Sequence, residues 1–219
     1  MVDKIIKTSK TESHILGLLL ASIGGIMDAY SFVCRGHVFA NAQTGNIMLL
    51  GIYLSLGDFQ TALYYLCPIL AFSVGIALSY VARKIKKFKS PYVWQWGLLI
   101  INALIMVGVA FLPQSLNLLA NCLISLTCGV QLASFPVISG NSVATTMCIG
   151  NLHSMIREGI NYFYTKNKAD LKKSLLYFSV ILFFVLGAIL GNFLISWFAE
   201  FAIILGSVLS FVVAIVIMI

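Results

Sequence analysis

Two short stretches carry the residue types best suited to chemistry: Ala42-Gln43-Thr44-Gly45-Asn46 and its weaker echo Cys148-Ile149-Gly150-Asn151. Each is a small polar knot containing Gly-Asn, placed after a long apolar run and before a short helix-like stretch. A helix that begins at such a break presents unpaired backbone N–H groups and a partial positive charge. That end can hold an anion or a polar ligand without a charged side chain. Gly45 and Gly150 would allow close backbone approach or a positive φ. Thr44 can cap, while Asn41, Gln43, Asn46, Asn141, Thr145, Thr146 and Asn151 offer donors and acceptors to a substrate. The same side chains could instead serve only the backbone freed by the break, as caps do.

Asp28 lies about six residues inside the outer end of the first apolar run. Intramembrane acids are expensive and usually face a cavity or a partner. It could bind a proton or cation coupled to transport, or it could brace the 35–43 loop, for instance by pairing with Arg35. Arg35 and His37 fall at an outer mouth, where they could attract anions or simply snorkel. His153 and Arg157, four apart, share a helical face and could line an inner mouth or point into solvent. His14 is expected at the interface.

These residues need a membrane scaffold. Of the 219 residues 60% are hydrophobic and only 10% charged, against about 25% charged in soluble domains; mean hydropathy is +1.00. Several apolar runs approach or exceed the ~20 residues that cross a bilayer, so the fold class is an all-α polytopic membrane protein. The isoelectric point near 9.2 could suggest nucleic acid. The Lys and Arg, however, sit in blocks between apolar runs, as in cytoplasmic loops, which makes nucleic-acid binding a poor reading. The five cysteines lie in or beside apolar stretches without metal-site spacing, and the odd number argues against a disulfide framework. Lysines ahead of residues 16–22 mimic a signal peptide, but the apolar run continues to Cys34 and reads as an uncleaved first span.

Six spans are expected, at about 12–34, 59–82, 94–112, 117–138, 174–197 and 201–219. Residues 46–57 are apolar but would make a helix of only roughly 18 Å, against a hydrocarbon core of about 30 Å. Residues 152–164 read as a modest amphipathic helix. Charge tests this layout. The lysine-rich start, the 83–89 cluster and the block at Lys166, Lys168, Lys172 and Lys173 should share one side, so even numbers of crossings separate them. Counting 46–57 or 152–164 as crossings would break that parity. Six spans plus two re-entrant half-helices satisfy it, with both termini cytoplasmic.

The same order recurs about 103–105 residues later: Ser31-Phe32 matches Ser134-Phe135, Asp28 stands opposite Gln131, and Gly45-Asn46 matches Gly150-Asn151. Units 1–112 and 113–219, each with three crossings, would be inverted relative to one another. Inverted repeats with broken helices meeting near the midplane recur among transporters.

The segments Gly24-Gly25-Ile26-Met27-Asp28-Ala29-Tyr30-Ser31, Phe39-Ala40-Asn41-Ala42-Gln43-Thr44-Gly45-Asn46 and Ala144-Thr145-Thr146-Met147-Cys148-Ile149-Gly150-Asn151-Leu152 carry a resemblance. Through them the chain is similar, over nearly its whole length, to the YoaK-like family of bacterial integral membrane proteins, a domain of unknown function. That resemblance implies a bacterial cytoplasmic (inner) membrane and no particular reaction. The second motif has Ile149 where the family pattern has threonine.

The sequence contains no HExxH, no GxSxG elbow and no Walker loop, so an enzyme is not expected, nor is a cofactor or a metal. The expected function is secondary transport of a small polar or anionic solute, with a proton-coupling role for Asp28. A passive channel on the same scaffold and a non-transporting membrane partner are the alternatives. The expected partners are a small-molecule or ion substrate and the lipid bilayer, and small size makes a homo-oligomer plausible.

Overall fold

The computed structural model describes residues 13–84 and 93–218. The lysines of the amino-terminal segment and most of the 83–89 cluster lie outside the described residues. The described chain is helical apart from its connecting loops and one short hairpin. Its helices are α1 (His14–Cys34), α2 (Gln43–Ser55), α3 (Phe59–Lys84), α4 (Val93–Ala110), α5 (Asn117–Ser134), α6 (Cys148–Thr165), α7 (Lys168–Phe198) and α8 (Ile204–Met218). Five stretches are long and apolar enough to cross a bilayer: α1, α3, α4, a 21-residue stretch ending with α5, and Lys168–Met218. The last has 51 residues, about 77 Å if it were one straight helix. It is interrupted at Ala199, whose φ is 46°, by a 3₁₀ turn over Ala199–Ile203.

Several boundaries differ from the sequence expectation for local reasons. Span four was expected to reach 138, but α5 ends at Ser134. Pro136 follows Phe135, and a residue before proline is driven out of the α region; Phe135 sits at φ −127°, ψ 60°. The chain then forms a two-residue hairpin, Val137–Ile138 against Asn141–Ser142, turning through Ser139 and Gly140 at positive φ. α2 and α6 begin earlier than the apolar pattern indicates, at Gln43 and Cys148. α7 starts at Lys168 rather than near 174, because Asn167 caps it by accepting from the Ala169 N–H.

Contacts far apart in sequence set the relative directions of the helices. α1 and α7 run the same way: His14 meets Ser179, Ser22 meets Phe183, and Ile26 meets Gly191. α3 and α5 do likewise, with Tyr64 at Asn121, Gly75 at Leu126 and Ser79 at Val130. α1 and α5 are opposed, since Leu20, Met27 and Arg35 meet Gln131, Thr127 and Asn121 in descending order. α4 and α8 are also opposed, through Ala103 with Ser207 and Phe111 with Phe201. It follows that α1 and α3 point in opposite directions although α2 lies between them. α5 and α7 do so although α6 lies between them.

The two parallel pairs are held by backbone contact. A Cβ at Gly25 would collide with the Phe184 carbonyl, and one at Gly187 with that of Ser22. Gly75 and Gly129 stand in the same relation to Leu126 and Phe72. Close approach of this kind lets helices associate in lipid, where apolar side chains gain nothing by leaving the hydrocarbon. Leu20, Ile26, Met27, Ile124 and Cys128 fill the centre. Many large apolar residues face outward, such as Ile189 and Phe193.

Candidate functional site: two polar knots on α1

Each knot is closed by one asparagine. Asn46 Oδ1 accepts from the Phe39 N–H at 3.1 Å while its Nδ2 donates to the Phe39 carbonyl at 2.7 Å. Asn151 repeats the pair on Ala144, at 3.3 and 2.7 Å. In both cases the partner lies seven residues upstream. The amide thus replaces a backbone ladder and clips the loop to the first turn of the following helix, which neither helix caps with an N-cap side chain. Thr44 does not cap, because the N-cap position falls on Ala42, and Thr44 is exposed. Gln43 also works locally, donating to the Ala40 carbonyl and accepting from Asn46. A Cβ at Gly45 would lie 2.7 Å from the Phe39 ring, which would have to shift, whereas one at Gly150 would meet nothing within 4 Å.

Both knots converge on α1. Asn41 donates to the Gly24 carbonyl at 3.0 Å. A Cβ at Gly24 would come within 3.0 Å of the Thr145 carbonyl, so both loops reach α1 at this residue. One turn earlier, the Leu20 carbonyl accepts from Gln131 Nε2 at 2.8 Å, and that same nitrogen lies 3.3 Å from Thr145 Oγ1.

Asp28 faces the first knot. Its Oδ1 accepts from the Asn41 N–H at 2.7 Å, with the Ala40 and Ala42 N–H groups close by. Asp28 is half-buried, whereas Asn41, Thr145 and Thr146 are buried. The carboxylate therefore braces the loop, one of the two roles its position implied, but not through Arg35. The described residues contain a single ion pair, Arg157 with Glu158 at 2.7 Å.

Two buried polar atoms at the knots have no hydrogen-bond partner among the described residues: Asn41 Oδ1 and Thr146 Oγ1. They are 105 positions apart, like the two clamping asparagines. The other unpartnered ones are Asn121 Oδ1 and Ser125 Oγ on α5 and Asn102 Oδ1 on α4. Leaving such a group dry costs about 1–3 kcal/mol, so each needs a reason. The thiol of Cys128 stands beside Asn41, a weak donor at best.

Arg35 is the residue the sequence placed least well. It is neither at an open mouth nor snorkelling, for it is fully buried. Its guanidinium donates to Tyr30 Oη at 2.9 Å, Asn117 Oδ1 at 3.1 Å and the Val109 carbonyl at 3.0 Å, with Pro113 O at 3.4 Å. Val109 is in the last turn of α4, so the cation also meets the negative end of that helix dipole. Asn141 stands apart from both knots, in the hairpin beside the start of α7. His153 and Arg157 lie on the exposed side of α6.

A family model described as "Protein of unknown function (DUF1275)" matches residues 16–216. The chain belongs to this family. It is also 25% identical over 192 residues to the UPF0700 transmembrane protein YoaK of Bacillus subtilis (strain 168), with 84% of each chain covered. No solved structure matches it. As a DUF1275 chain with several bilayer-length apolar helices it is a multi-pass membrane protein. Its glycine pairs and buried arginine could have been suspected only from knowing which helices touch.

Proposed function

We propose that the chain is a secondary transporter of a small polar or anionic solute in the bacterial inner membrane, with its site where the two knots meet at Gly24. The observation that carries this reading is the pair of unpartnered, buried polar atoms, Asn41 Oδ1 and Thr146 Oγ1, one on each knot. The loops that bear them both reach α1 at Gly24. An acceptor and a hydroxyl held in this way are what a polar guest would use. Asp28, hydrogen-bonded to the same loop and still half-buried, is the candidate carrier of a coupled proton.

The architecture assigned here has six crossings, with α2 and α6 as re-entrant segments and units 1–112 and 113–219 inverted on one another. The helix directions favour it, because a full crossing by α2 would make α1 and α3 parallel. The matched pairings α1 with α7 and α5 with α3, each locked by two glycines, support the repeat. Both termini then lie on the cytoplasmic side, with the lysine blocks.

The test begins with the full chain in detergent. Thermal stability is followed across a panel of small polar and anionic solutes, and any stabilising solute is then assayed by counterflow in liposomes. Saturable counterflow that Asn41→Ala and Thr146→Val weaken about tenfold supports the site. Flux without counterflow moves the protein to the channel class. An experimental map with a dry, side-chain-filled space between the knots would overturn the reading.

A further inference from the structure

A cavity lies at the amino-terminal end of α1. It has a volume of about 430 Å³ and is lined by His14, Ser139, Asn141, Lys172, Lys173 and Leu175, with Leu176 at its floor. Three elements that are distant in sequence build it. The hairpin tip is set by the positive φ of Ser139 and Gly140. Tyr177 Oη donates to the Ser142 carbonyl at 3.2 Å, which pins the hairpin to α7. Ile138 packs onto Gly17, where a Cβ would be 2.7 Å away, which pins it to α1. His14 Nε2 and Ser179 Oγ, 2.9 Å apart, tie α1 to α7. Asn141 Nδ2 donates to the Ser139 carbonyl at 2.9 Å. The cavity is thus a formed feature rather than a gap between loose loops.

Its polarity is one-sided. Among the described residues, two lysines, a histidine, an amide and a hydroxyl line it without an acid. The nearest acid on the same helix, Asp170, is turned to the Thr165 hydroxyl at 3.3 Å. The amino end of α1 adds further positive partial charge. Leu175, 54% exposed, lies on the wall next to the lysines and continues into the apolar outer face of α7. A basic cup with a greasy exit at a membrane interface suits a phosphate group that carries an acyl chain. The cavity is fourteen residues along α1 from Asp28, about 21 Å of helix, so it is separate from the first knot.

We propose that this cavity binds a phosphate group, supplied by the headgroup of an anionic phospholipid, with Lys172 and Lys173 as the charged contacts and Asn141 as a neutral one. The inference does not rest on the transport reading. The test uses the full chain in a zwitterionic detergent and follows its melting temperature during titration with short-chain phosphatidylglycerol, phosphatidylcholine or inorganic phosphate. Two charge-matched variants, K172Q/K173Q and K166Q/K168Q, are compared with the parent after each is shown to melt cooperatively without ligand. A rise of about 5–10 °C with phosphatidylglycerol, lost in K172Q/K173Q and kept in K166Q/K168Q, is the expected result. An equal rise with inorganic phosphate would retain the site and make the free anion its ligand. Equal loss in both variants would reduce the effect to diffuse surface charge, and no rise with either phosphate would remove the site; both overturn the proposal.

Discussion

The two knots have the same backbone clamp and different braces. Around Asn46 the supports are charged: Asp28 holds the Asn41 N–H, and the Arg35 guanidinium ties the end of α1 to α4 and to Asn117. Around Asn151 they are neutral. Gln131 replaces the acid and bonds Leu20 and Thr145, while Ile138 against Gly17 and Tyr177 on Ser142 hold the adjoining hairpin. The neutral half shows that such a loop can be held without an acid. Under the proposed function, the titratable proton of Asp28 is what distinguishes the first knot from the second.

Five substitutions would break or sharpen that comparison, each followed by unfolding in detergent and, where stated, by flux. Arg35→Leu should be the most damaging, by about 3–5 kcal/mol. It removes a fully buried cation together with its bonds to Tyr30 Oη, Val109 O and Asn117 Oδ1, and a hydrogen bond to a charged group is worth about 1.5–3 kcal/mol. Survival of a normal melt would mean that the charged brace is dispensable. Next come Asn46→Ala and Asn151→Ala, each expected to cost about 1–3 kcal/mol and to agree within about 1 kcal/mol, since they remove the same pair of bonds. A large difference between them would show that the two clamps are not equivalent.

Asp28→Asn keeps an acceptor for the Asn41 N–H and should cost no more than about 1 kcal/mol. Its larger effect should be on the pH dependence of flux, which should flatten. An unchanged pH profile would return Asp28 to bracing alone. The smallest effect, and one of opposite sign, is expected from Thr146→Val. This near-isosteric change deletes an unpaired buried hydroxyl and should raise stability by up to about 1 kcal/mol, while weakening stabilisation by solute. Destabilisation would mean that the hydroxyl already has a partner.

Much of this was legible from residue order. The breaks at 35–43 and 139–147, the short helices that follow and the clustering of polar residues at the knots all follow from local composition. The assignment of Thr44 as a cap failed because the helix begins at Gln43, two residues earlier than the Gly-Asn pair suggests. Asn141 was grouped with the second knot because it is close in sequence, yet the tight turn at Ser139 and Gly140 carries it to α7. Arg35 read as an interfacial cation because its four acceptors lie between 5 and 82 positions away.

By itself the sequence determined the class of the protein, the approximate spans and the places where helices must break. Those depend on run length against bilayer thickness and on where Gly, Asn and Pro interrupt it. Only the tertiary structure decided that both knots close on Gly24, that Arg35 is enclosed, and that Lys172 and Lys173 share a cavity with His14. Each of those outcomes requires side chains from helices far apart in the chain, and which helices touch is set by glycine-mediated backbone contact that leaves no periodic signal in a uniformly apolar sequence.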